Sequence, residues 1–346
     1  MSKNVSLFLK IFLPLLVVVS AVHICIFYAL GRQSKTPDVT QAPPNADLSR
    51  IPERQPVQTP EAVPETITEP IPVRRQLPYY DFSRLRQLPA DIRKLGRTGK
   101  SGIIVDLGTR QVLWAKNPTS PVPVASLTKL MTAMLVMEDI ADGRLEMTTR
   151  IPVTSAATSV ERSCVLGMKR GEFYTTKELI AAMMINSHND AAAQLAAIVA
   201  GNVDNFVVRM NKRAAELGLT SAVFNSPNGL PQGRKRINSM CSVTDITRIS
   251  EALMRYPQLM EFCRMRNYKL HTGKTVYSHN NLLRRRPVPG LFGFKTGYTG
   301  KAGFCLAFGV NRKGRRIIGC VAGFPSARDR DDFCRRLIEW SYSTQR

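Results

Sequence analysis

The stretch ASLTKLMTAML, residues 125–135, joins an apolar helical pattern to two polar residues at its start. Its apolar residues recur at intervals of a helical turn, at Leu127, Leu130, Met131, Met134 and Leu135. This spacing predicts a helix with one buried face. Ser126 and Lys129 are three residues apart, so they lie on the same side of that helix. The pair is compatible with an ordinary helix cap and a lysine whose amine reaches solvent, so it needs further motifs before it indicates chemistry.

The front of the chain carries a second signal, the apolar segment IFLPLLVVVSAVHICIFYAL at residues 11–30. This segment is long enough to cross a bilayer. Ala29 and Gly31 leave a cleaved signal peptide as the alternative. Because the apolar run is longer than most cleaved leaders, we expect residues 1–31 to be a retained, single-pass anchor in the cytoplasmic membrane. The rest of the chain is then expected on the periplasmic, or extracytoplasmic, side.

The segment that follows, residues 32–88, is rich in proline amid Gln, Thr and Glu. This composition predicts an extended spacer, with a docking motif for another protein as the alternative. Residues 89–346 show the pattern of a compact domain. With 44% hydrophobic residues, the chain has enough apolar side chains for a sizeable core and is not a disordered protein.

The chain is strongly basic, with a formal net charge of +23 that lies mostly beyond Gly96. Such a charge invites a nucleic-acid partner. We do not expect one, because aromatic residues are not interleaved with the basic residues and an exported protein meets little nucleic acid. An anionic polymer or membrane surface fits the charge better, and simple solubility is the alternative.

The seven cysteines permit disulfides in an exported protein. Two predicted strands, FCLAFGV and RRIIGCVAGF, are joined around Asn311 to Gly314, and this turn is expected to place Cys305 opposite Cys320. A strained bridge is one interpretation of this pair. A role as small buried apolar residues is the preferred interpretation for most of the cysteines after residue 31.

The remaining patterns predict a mixed α/β (α+β) domain. SGIIVDL and QVLWAK read as a hairpin, and residues 175–200 read as two helices, begun by a capping box at Thr175 and Glu178 and interrupted at INSHND, residues 185–190. GLFGFKTGYTG, FCLAFGV and RRIIGCVAGF predict three late strands, and an amphipathic helix follows over Asp329 to Tyr342. Strands at both ends with helices between them indicate that the terminal segments share one sheet.

Two further polar motifs fit this framework. Ser187-His188-Asn189 occupies the loop between the two helices, and Lys295-Thr296-Gly297 lies near the end of a predicted strand. The S-x-N pattern is common in this chain, whereas K-T-G and S-x-x-K each occur once. The order of the three elements therefore carries more weight than any one of them.

In that order the chain resembles the serine D-alanyl-D-alanine carboxypeptidases, the low-molecular-mass penicillin-binding proteins of the DacA-like peptidase S11 family, which are related to the class A β-lactamases. The likeness covers roughly Arg97 to the C-terminus. It includes the segments ASLTKLMTAML, INSHNDAAAQLA, LGLTSAVFNSPNGL, SVTDITRI, NNLL, FGFKTGYTGKAGFCLAF and GFPSARDRDDFCRRLIEW. The resemblance implies the β-lactamase/transpeptidase-like fold, an antiparallel sheet flanked by helices with an inserted all-helical region. Residues 89–346 would then be the D,D-peptidase catalytic domain.

The resemblance also implies the activity and the site. The terminal D-alanine of peptidoglycan stem pentapeptides would be removed through an acyl-enzyme, without a cofactor, and β-lactams would be covalent inhibitors. Ser126 would be the nucleophile, Lys129 its base and Ser187 a proton relay to the leaving amine. The substrate would be bound by Asn189, Lys295, Thr296, Gly297 and Tyr298. The oxyanion hole would be formed by the backbone N–H groups of Ser126 and Tyr298.

Several alternatives stay open from the sequence. A D,D-endopeptidase of the same fold would cut cross-links instead of a terminal residue. A class A β-lactamase would need a glutamate for deacylation, and the nearest counterpart is Glu216, which reads as the tail of a helix. A penicillin-binding sensor without turnover is the non-enzyme alternative. His188, His271 and His279 are not expected to be catalytic, and the four histidines lack the spacing of a metal site.

Overall fold

The computed structural model describes residues 80–161 and 163–343. The described residues all lie within one compact unit, Pro70–Arg346. The predicted anchor over residues 1–31 lies outside the described residues, as does the predicted spacer up to residue 79. At the end of that predicted spacer, Tyr80 and Leu88 are buried against the folded part. The three predicted domain boundaries stay predictions.

The helices and strands alternate along the chain, with a long helical region between the early and the late strands. In order they are α1 (Ala90–Gly96), β1 (Ser101–Asp106), β2 (Val112–Lys116), β3 (Val122–Pro123), α2 (Lys129–Ala141), β4 (Arg150–Pro152), α3 (Ser155–Thr158), β5 (Phe173–Thr175), α4 (Thr176–Ile185), α5 (Asn189–Ala200), α6 (Val203–Glu216), β6 (Met240–Cys241), α7 (Val243–Leu253), α8 (Pro257–Arg264), β7 (Asn267–Lys269), β8 (Thr275–Tyr277), α9 (Asn281–Arg284), β9 (Leu291–Thr299), β10 (Gly303–Arg312), β11 (Arg315–Phe324) and α10 (Ala327–Ser343).

The main sheet contains five strands in the order β2-β1-β11-β10-β9, and every neighbouring pair is antiparallel. The prediction that the first and last strands share a sheet is confirmed. Strand β9 therefore forms one edge of the sheet, and its outer side is free of a sixth strand among the described residues. An extended peptide can be accommodated along such an edge.

The two faces of the sheet are covered by different helices because side chains alternate along each strand. In β1, Ile103 and Val105 belong to an apolar cluster with α2, α4, α5 and α7, whereas Ile104 belongs to a cluster with α1 and α10. The fold is thus an antiparallel sheet flanked by helices, with a helical region inserted between β2 and β9, as predicted. Small two-stranded sheets, β3 with β6, β4 with β5 and β7 with β8, connect this region.

The helical region breaks where the polar sequence predicted a loop. The capping box at the start of α4 is present, with Thr175 accepting from the backbone of Glu178 and the Glu178 side chain accepting from the backbone of Thr175. Helix α4 ends at Ile185 and α5 begins at Asn189. Among the described residues no single helix meets the length and hydropathy needed for a membrane span; α5 and α6 meet them only together and are bent by 82°.

The expectation that Cys305 lies opposite Cys320 is wrong. The two strands turn at Lys313 and Gly314, with Arg312 opposite Arg315, and this register places Ala307 opposite Cys320. Both cysteines are free and fully buried. Of the other cysteines in the described part of the chain, only Cys164 is exposed.

Candidate active site

Ser126 lies in a tight turn at the start of the buried helix α2. Residues Ala125–Thr128 form a 3₁₀ turn, and the α-helix begins only at Lys129. Ala125 has a φ of 47°, a left-handed conformation that is costly for a residue with a Cβ. Gly229 packs directly on this turn, since a Cβ added there would lie 2.0 Å from the backbone oxygen of Ala125. The turn is therefore strained and held by a neighbouring segment, as is common at functional sites.

Lys129 is completely buried, and its amine contacts three acceptors. The Nζ atom lies 3.0 Å from Ser126 Oγ, 2.7 Å from Asn189 Oδ1 and 2.6 Å from the backbone oxygen of Asn228. A protonated amine donates to all three. A neutral amine can still donate to Asn189 and Asn228 while its lone pair accepts the hydroxyl proton of Ser126. The geometry is thus compatible with Lys129 both before and after it takes the proton of Ser126.

The electrostatic surroundings favour the neutral form of Lys129. Burial, and next the positive charge of Lys295, lower the pKa of Lys129 well below its usual range. Cys164 and Asp190 act in the opposite direction but are weaker causes. A buried amine with a lowered pKa is the state in which a lysine serves as a base.

The loop between α4 and α5 brings Ser187 and Asn189 to the same place. Ser187 is buried and has a φ of 70°, so the loop also contains a strained residue. Both ends of the Asn189 amide are engaged by the protein. Its Oδ1 accepts from Lys129, and its Nδ2 donates to the backbone oxygen of Ser163. This arrangement favours positioning of Lys129 by Asn189; the predicted contact with a substrate amide stays a prediction.

The edge strand β9 forms the wall opposite this loop. Lys295 is buried, and its Nζ donates to the backbone oxygen of Thr296 at 2.9 Å. Burial lowers the pKa of Lys295 to about 8. Gly297 faces the Ser126 turn, because a Cβ added there would lie 3.3 Å from the backbone nitrogen of Ser126 and 3.0 Å from the backbone oxygen of Val124. A glycine at this position lets β9 approach the turn closely.

These segments enclose a cleft of about 330 Å³. Of the eight predicted site residues, Ser126, Ser187, Asn189, Thr296, Gly297 and Tyr298 line it. Lys129 and Lys295 lie buried behind this lining. The ring of Tyr298 is 58% exposed and stacks on Phe304 with ring centroids 4.2 Å apart. The structure thus brings all three motifs to a single site.

Comparison with known proteins gives the family of this site. The family model described as D-alanyl-D-alanine carboxypeptidase (Peptidase S11) matches residues 92–326. The chain belongs to this family.

Two curated relatives carry different activity names. D-alanyl-D-alanine carboxypeptidase DacF of Bacillus subtilis is 30% identical over 252 residues, which cover 72% of this chain and 64% of the relative. D-alanyl-D-alanine endopeptidase of Pseudomonas aeruginosa is 31% identical over 215 residues, which cover 60% of this chain and 65% of the relative. The chain thus spans less than two thirds of the length of both.

Solved structures give the same family and the same fold. Penicillin-binding protein 6B of Escherichia coli matches with a TM-score of 0.68 at 28% identity, over 76% of this chain and 81% of that one. Penicillin-binding protein D2 of Listeria monocytogenes, in its ampicillin-bound form, matches with a TM-score of 0.64 at 26% identity, over 71% of this chain and 98% of that one.

Two contacts of this peptidase S11 site were not predicted as such. Asn228 supplies a backbone acceptor for Lys129, and Gly229 supports the Ser126 turn. Both lie in the segment NSPNGL, where the Asn-Gly pair is a turn signal. A backbone carbonyl leaves no signature in the residue type, so the sequence could indicate the turn but not its contact with Lys129.

Three further titratable side chains line the S11 cleft without a predicted role. Cys164 is exposed, and its thiol lies 3.2 Å from the backbone oxygen of Asn186. Arg330 is buried and pairs with Asp331 at 2.6 Å. His279 is held neutral, because burial and the nearby Lys295 lower its pKa to about 4.

Glu216, His271 and His188 are not among the residues that line the cleft. Glu216 ends helix α6 and pairs with Arg213 at 3.0 Å, so it is not placed to activate water at Ser126. His271 contacts Glu178 through Nδ1 at 2.8 Å. Burial lowers the pKa of His188 to about 4. In the described ranges, 80–161 and 163–343, no group of three or more His, Cys, Asp or Glu side chains could hold a metal ion.

Proposed function

We propose that this chain is a serine-type D-Ala-D-Ala carboxypeptidase that removes the terminal D-alanine of peptidoglycan stem pentapeptides through an acyl-enzyme. The observation that carries the proposal is the contact of Ser126 Oγ with the fully buried amine of Lys129, at 3.0 Å. A serine hydroxyl attacks an amide only when a base takes its proton. The lowered pKa of Lys129 makes its amine that base.

In the first step, Ser126 Oγ bonds to the carbonyl carbon of the scissile amide and its proton passes to Lys129 Nζ. Negative charge then develops on the carbonyl oxygen. The backbone N–H groups of Ser126 and Tyr298 are assigned to stabilise that oxygen. This assignment is supported by the close approach of β9 to the Ser126 turn at Gly297.

In the second half of acylation, the C–N bond breaks and the leaving D-alanine amine needs a proton. Ser187 lies in the cleft with Ser126, and we assign it the transfer of this proton. Asn189 is assigned to hold Lys129 through its Oδ1 atom. Water then cleaves the ester of Ser126 and releases the shortened stem peptide.

The terminal carboxylate of the substrate is assigned to Lys295 and Thr296 on the edge strand. A cation and a hydroxyl donor suit a carboxylate. Because Lys295 lies two residues before Gly297 on the same strand, its cation fixes the substrate end beside the Ser126 turn. This anchoring distinguishes a carboxypeptidase from an enzyme that acts within a chain.

A D,D-endopeptidase is the second candidate activity. The relatives of Pseudomonas aeruginosa and Escherichia coli that carry this name are 31% and 29% identical to this chain. Cross-links contain an amide of the same D-Ala carbonyl, so the same Ser126 chemistry applies to both activities. The two activities differ in what occupies the leaving-group side of the cleft.

Acylation of Ser126 by penicillins is part of the proposal. Support comes from the similarity to Listeria monocytogenes penicillin-binding protein D2, which is described in ampicillin-bound and cefotaxime-bound forms. We also infer that the domain is tethered on the outer side of the cytoplasmic membrane. The apolar segment at residues 11–30 supports this location.

The test is D-alanine release by the full-length protein in detergent from a stem pentapeptide that ends in D-Ala-D-Ala. The Ser126→Ala variant is the control, and we expect its rate to fall at least about a thousandfold. Conversion of cross-linked muropeptide dimers to monomers is measured in parallel. Conversion of dimers without release from pentapeptide would replace the carboxypeptidase assignment by the endopeptidase. A folded protein that does neither, yet is labelled by fluorescent penicillin, would be the non-enzyme sensor.

A further inference from the structure

A groove of about 800 Å³ lies beside the catalytic cleft and has no role in the chemistry described above. The two cavities adjoin each other, because Leu230 lines both. On one wall, Glu161 lines the groove and Ser163 lines the cleft. On the other wall, Asn228 lines the groove, and Leu230 lines both cavities. The groove thus lies next to the cleft that contains Ser126.

A pair of opposite charges stands in this groove. Glu161 and Arg236 both line it, and their Oε1 and Nη1 atoms are 3.0 Å apart. Their side chains are 60% and 56% exposed, respectively. An exposed ion pair contributes little to folding stability. Each of its two groups can therefore leave the other and pair with a ligand group at a small cost in free energy. A ligand with a carboxylate and an ammonium on one end would satisfy both.

We propose that the groove binds the side chain of the third stem-peptide residue and selects one that ends in both an ammonium and a carboxylate group, as 2,6-diaminopimelate does. The inference rests on the proposed function, since it places the scissile amide at Ser126. The ligand carboxylate pairs with Arg236, and the ligand ammonium pairs with Glu161. A lysine side chain at the same position offers only the ammonium and would compete with Arg236 for Glu161.

The dimensions of the substrate agree with this placement. The third residue precedes the D-alanine that acylates Ser126, so in an extended chain its Cα lies within about 7 Å of that carbonyl carbon. One side of the extended backbone is taken by the edge strand β9. In this proposal the long side chain of the third residue passes Leu230, which lines both the cleft and the groove, and then Asn228, which lines the groove.

The experiment compares two stem pentapeptides that differ only in the third residue, diaminopimelate or lysine, with the full-length protein. The readout is the ratio of their kcat/KM values for D-alanine release. For the unaltered protein we expect a ratio of about five, the scale of one solvent-exposed charge pair. In the Arg236→Gln variant the ratio should fall to about one. The Arg234→Gln variant, in the same loop but outside the groove lining, should keep the ratio.

A chemical counterpart avoids any change in the protein. Amidation of the side-chain carboxylate of diaminopimelate removes the partner of Arg236, so the unaltered protein should treat this peptide like the lysine peptide. A ratio of about one in the unaltered protein, or an equal ratio in the Arg236→Gln and Arg234→Gln variants, would overturn the proposal.

A short acylated dipeptide ending in D-Ala-D-Ala, without the third residue, separates this inference from the proposed function. Release from the short substrate shows that the carboxypeptidase chemistry is present, whatever the ratio is. If no substrate is turned over, the proposed function fails, and the groove is judged by calorimetric binding of the two tetrapeptides to the Ser126→Ala variant. Equal affinities would then overturn the groove assignment, and tighter binding of the diaminopimelate peptide would support it.

Discussion

The amine of Lys129 lies 2.6 Å from the backbone oxygen of Asn228, a contact across 99 residues of chain. Together with Asn189 Oδ1 and Ser126 Oγ, this oxygen surrounds the amine with neutral acceptors. Neutral dipoles orient an ammonium group without the full stabilisation that a carboxylate gives. The site therefore holds the lysine in place while burial keeps its pKa low.

The first prediction concerns the partner of Lys129 on the loop between α4 and α5. The Asn189→Asp variant would place a carboxylate 2.7 Å from the amine and raise the pKa of Lys129. Each unit of increase lowers the neutral fraction about tenfold below that pKa. We expect acylation by fluorescent penicillin to slow at least about tenfold near pH 7 and to recover as the pH rises.

The Asn186→Asp variant is the matched control. It adds the same charge to the same loop, but the Asn186 amide donates to the backbone oxygen of Tyr277 and not to the lysine. Its penicillin acylation should change much less than that of Asn189→Asp. If the acylation rate of Asn189→Asp is lowered by the same factor at all pH values, Asn189 does not act by positioning Lys129. That result would favour the predicted contact of Asn189 with the substrate amide.

The second prediction concerns the alkaline limb of activity. Lys295 must be protonated to pair with a carboxylate, and its pKa is about 8. As the pH rises through that value, the cation is lost, so kcat/KM for D-alanine release should fall. Arginine stays protonated over this range. In the Lys295→Arg variant we expect a lower kcat/KM, because the larger group disturbs a buried position, but no fall between about pH 8 and about pH 10.

The test of this prediction is the shape of the pH profile of kcat/KM and not the absolute rate. The unaltered protein and the variant are compared from about pH 5 to about pH 10, with unfolding monitored by circular dichroism. An alkaline fall of equal size in both proteins would assign that limb to a group other than Lys295.

The third prediction concerns the support of the nucleophile turn. The Gly229→Ala variant puts a Cβ 2.0 Å from the backbone oxygen of Ala125, at a φ of 83°. The turn that carries Ser126 must shift, and a displacement of this kind costs about a hundredfold in rate. We expect penicillin acylation to slow by that order. The Gly273→Ala variant has the same φ of 83° and nothing within 4 Å, so it tests backbone strain alone.

Both glycine variants should lose stability by about 1 kcal/mol or more, because alanine is disfavoured at positive φ. Only Gly229→Ala should lose acylation when measured below its unfolding temperature. Equal acylation rates in the two variants would show that the contact with Ala125 does not hold the turn.

Much of the fold could be predicted because local patterns and the global arrangement agree. The capping box of Thr175 and Glu178, the break before Asn189 and the three late strands all lie where the residue types indicated. The register of β10 and β11 could not be predicted, because it depends on which two residues of the segment Asn311 to Gly314 form the turn. The strands turn at Lys313 and Gly314, one residue later than a position of Cys305 opposite Cys320 requires.

For the site, the side-chain groups of the three motifs could be predicted and the backbone groups could not. Ser126 and Asn189 are connected to Lys129 by side-chain atoms whose chemistry is evident in the residue type. Asn228 contacts Lys129 through its backbone oxygen, and Ala125 is strained because its backbone φ is positive. Neither property is encoded by residue identity alone.

The fourth prediction concerns the exposed thiol in the cleft. Cys164 lines the same cleft as Ser126, and the other cysteines in residues 80–161 and 163–343 are buried. Burial of the sulfur raises the pKa of Cys164, so alkylation should be faster at alkaline pH, where more thiolate is present. With Cys25 replaced by serine to remove the thiol outside the described residues, N-ethylmaleimide should add one group. This group should occupy part of the 330 Å³ cleft beside Ser126 and block penicillin acylation.

Mass spectrometry of the alkylated protein and the rate of penicillin acylation are measured on the same samples. The Cys164→Ser variant, in the same Cys25→Ser background, should keep its own acylation rate after treatment with the reagent. Prior acylation of Ser126 by penicillin should slow alkylation, since both groups occupy one cleft. Full alkylation of Cys164 with an unchanged rate of penicillin acylation would show that the thiol points away from the path of the substrate.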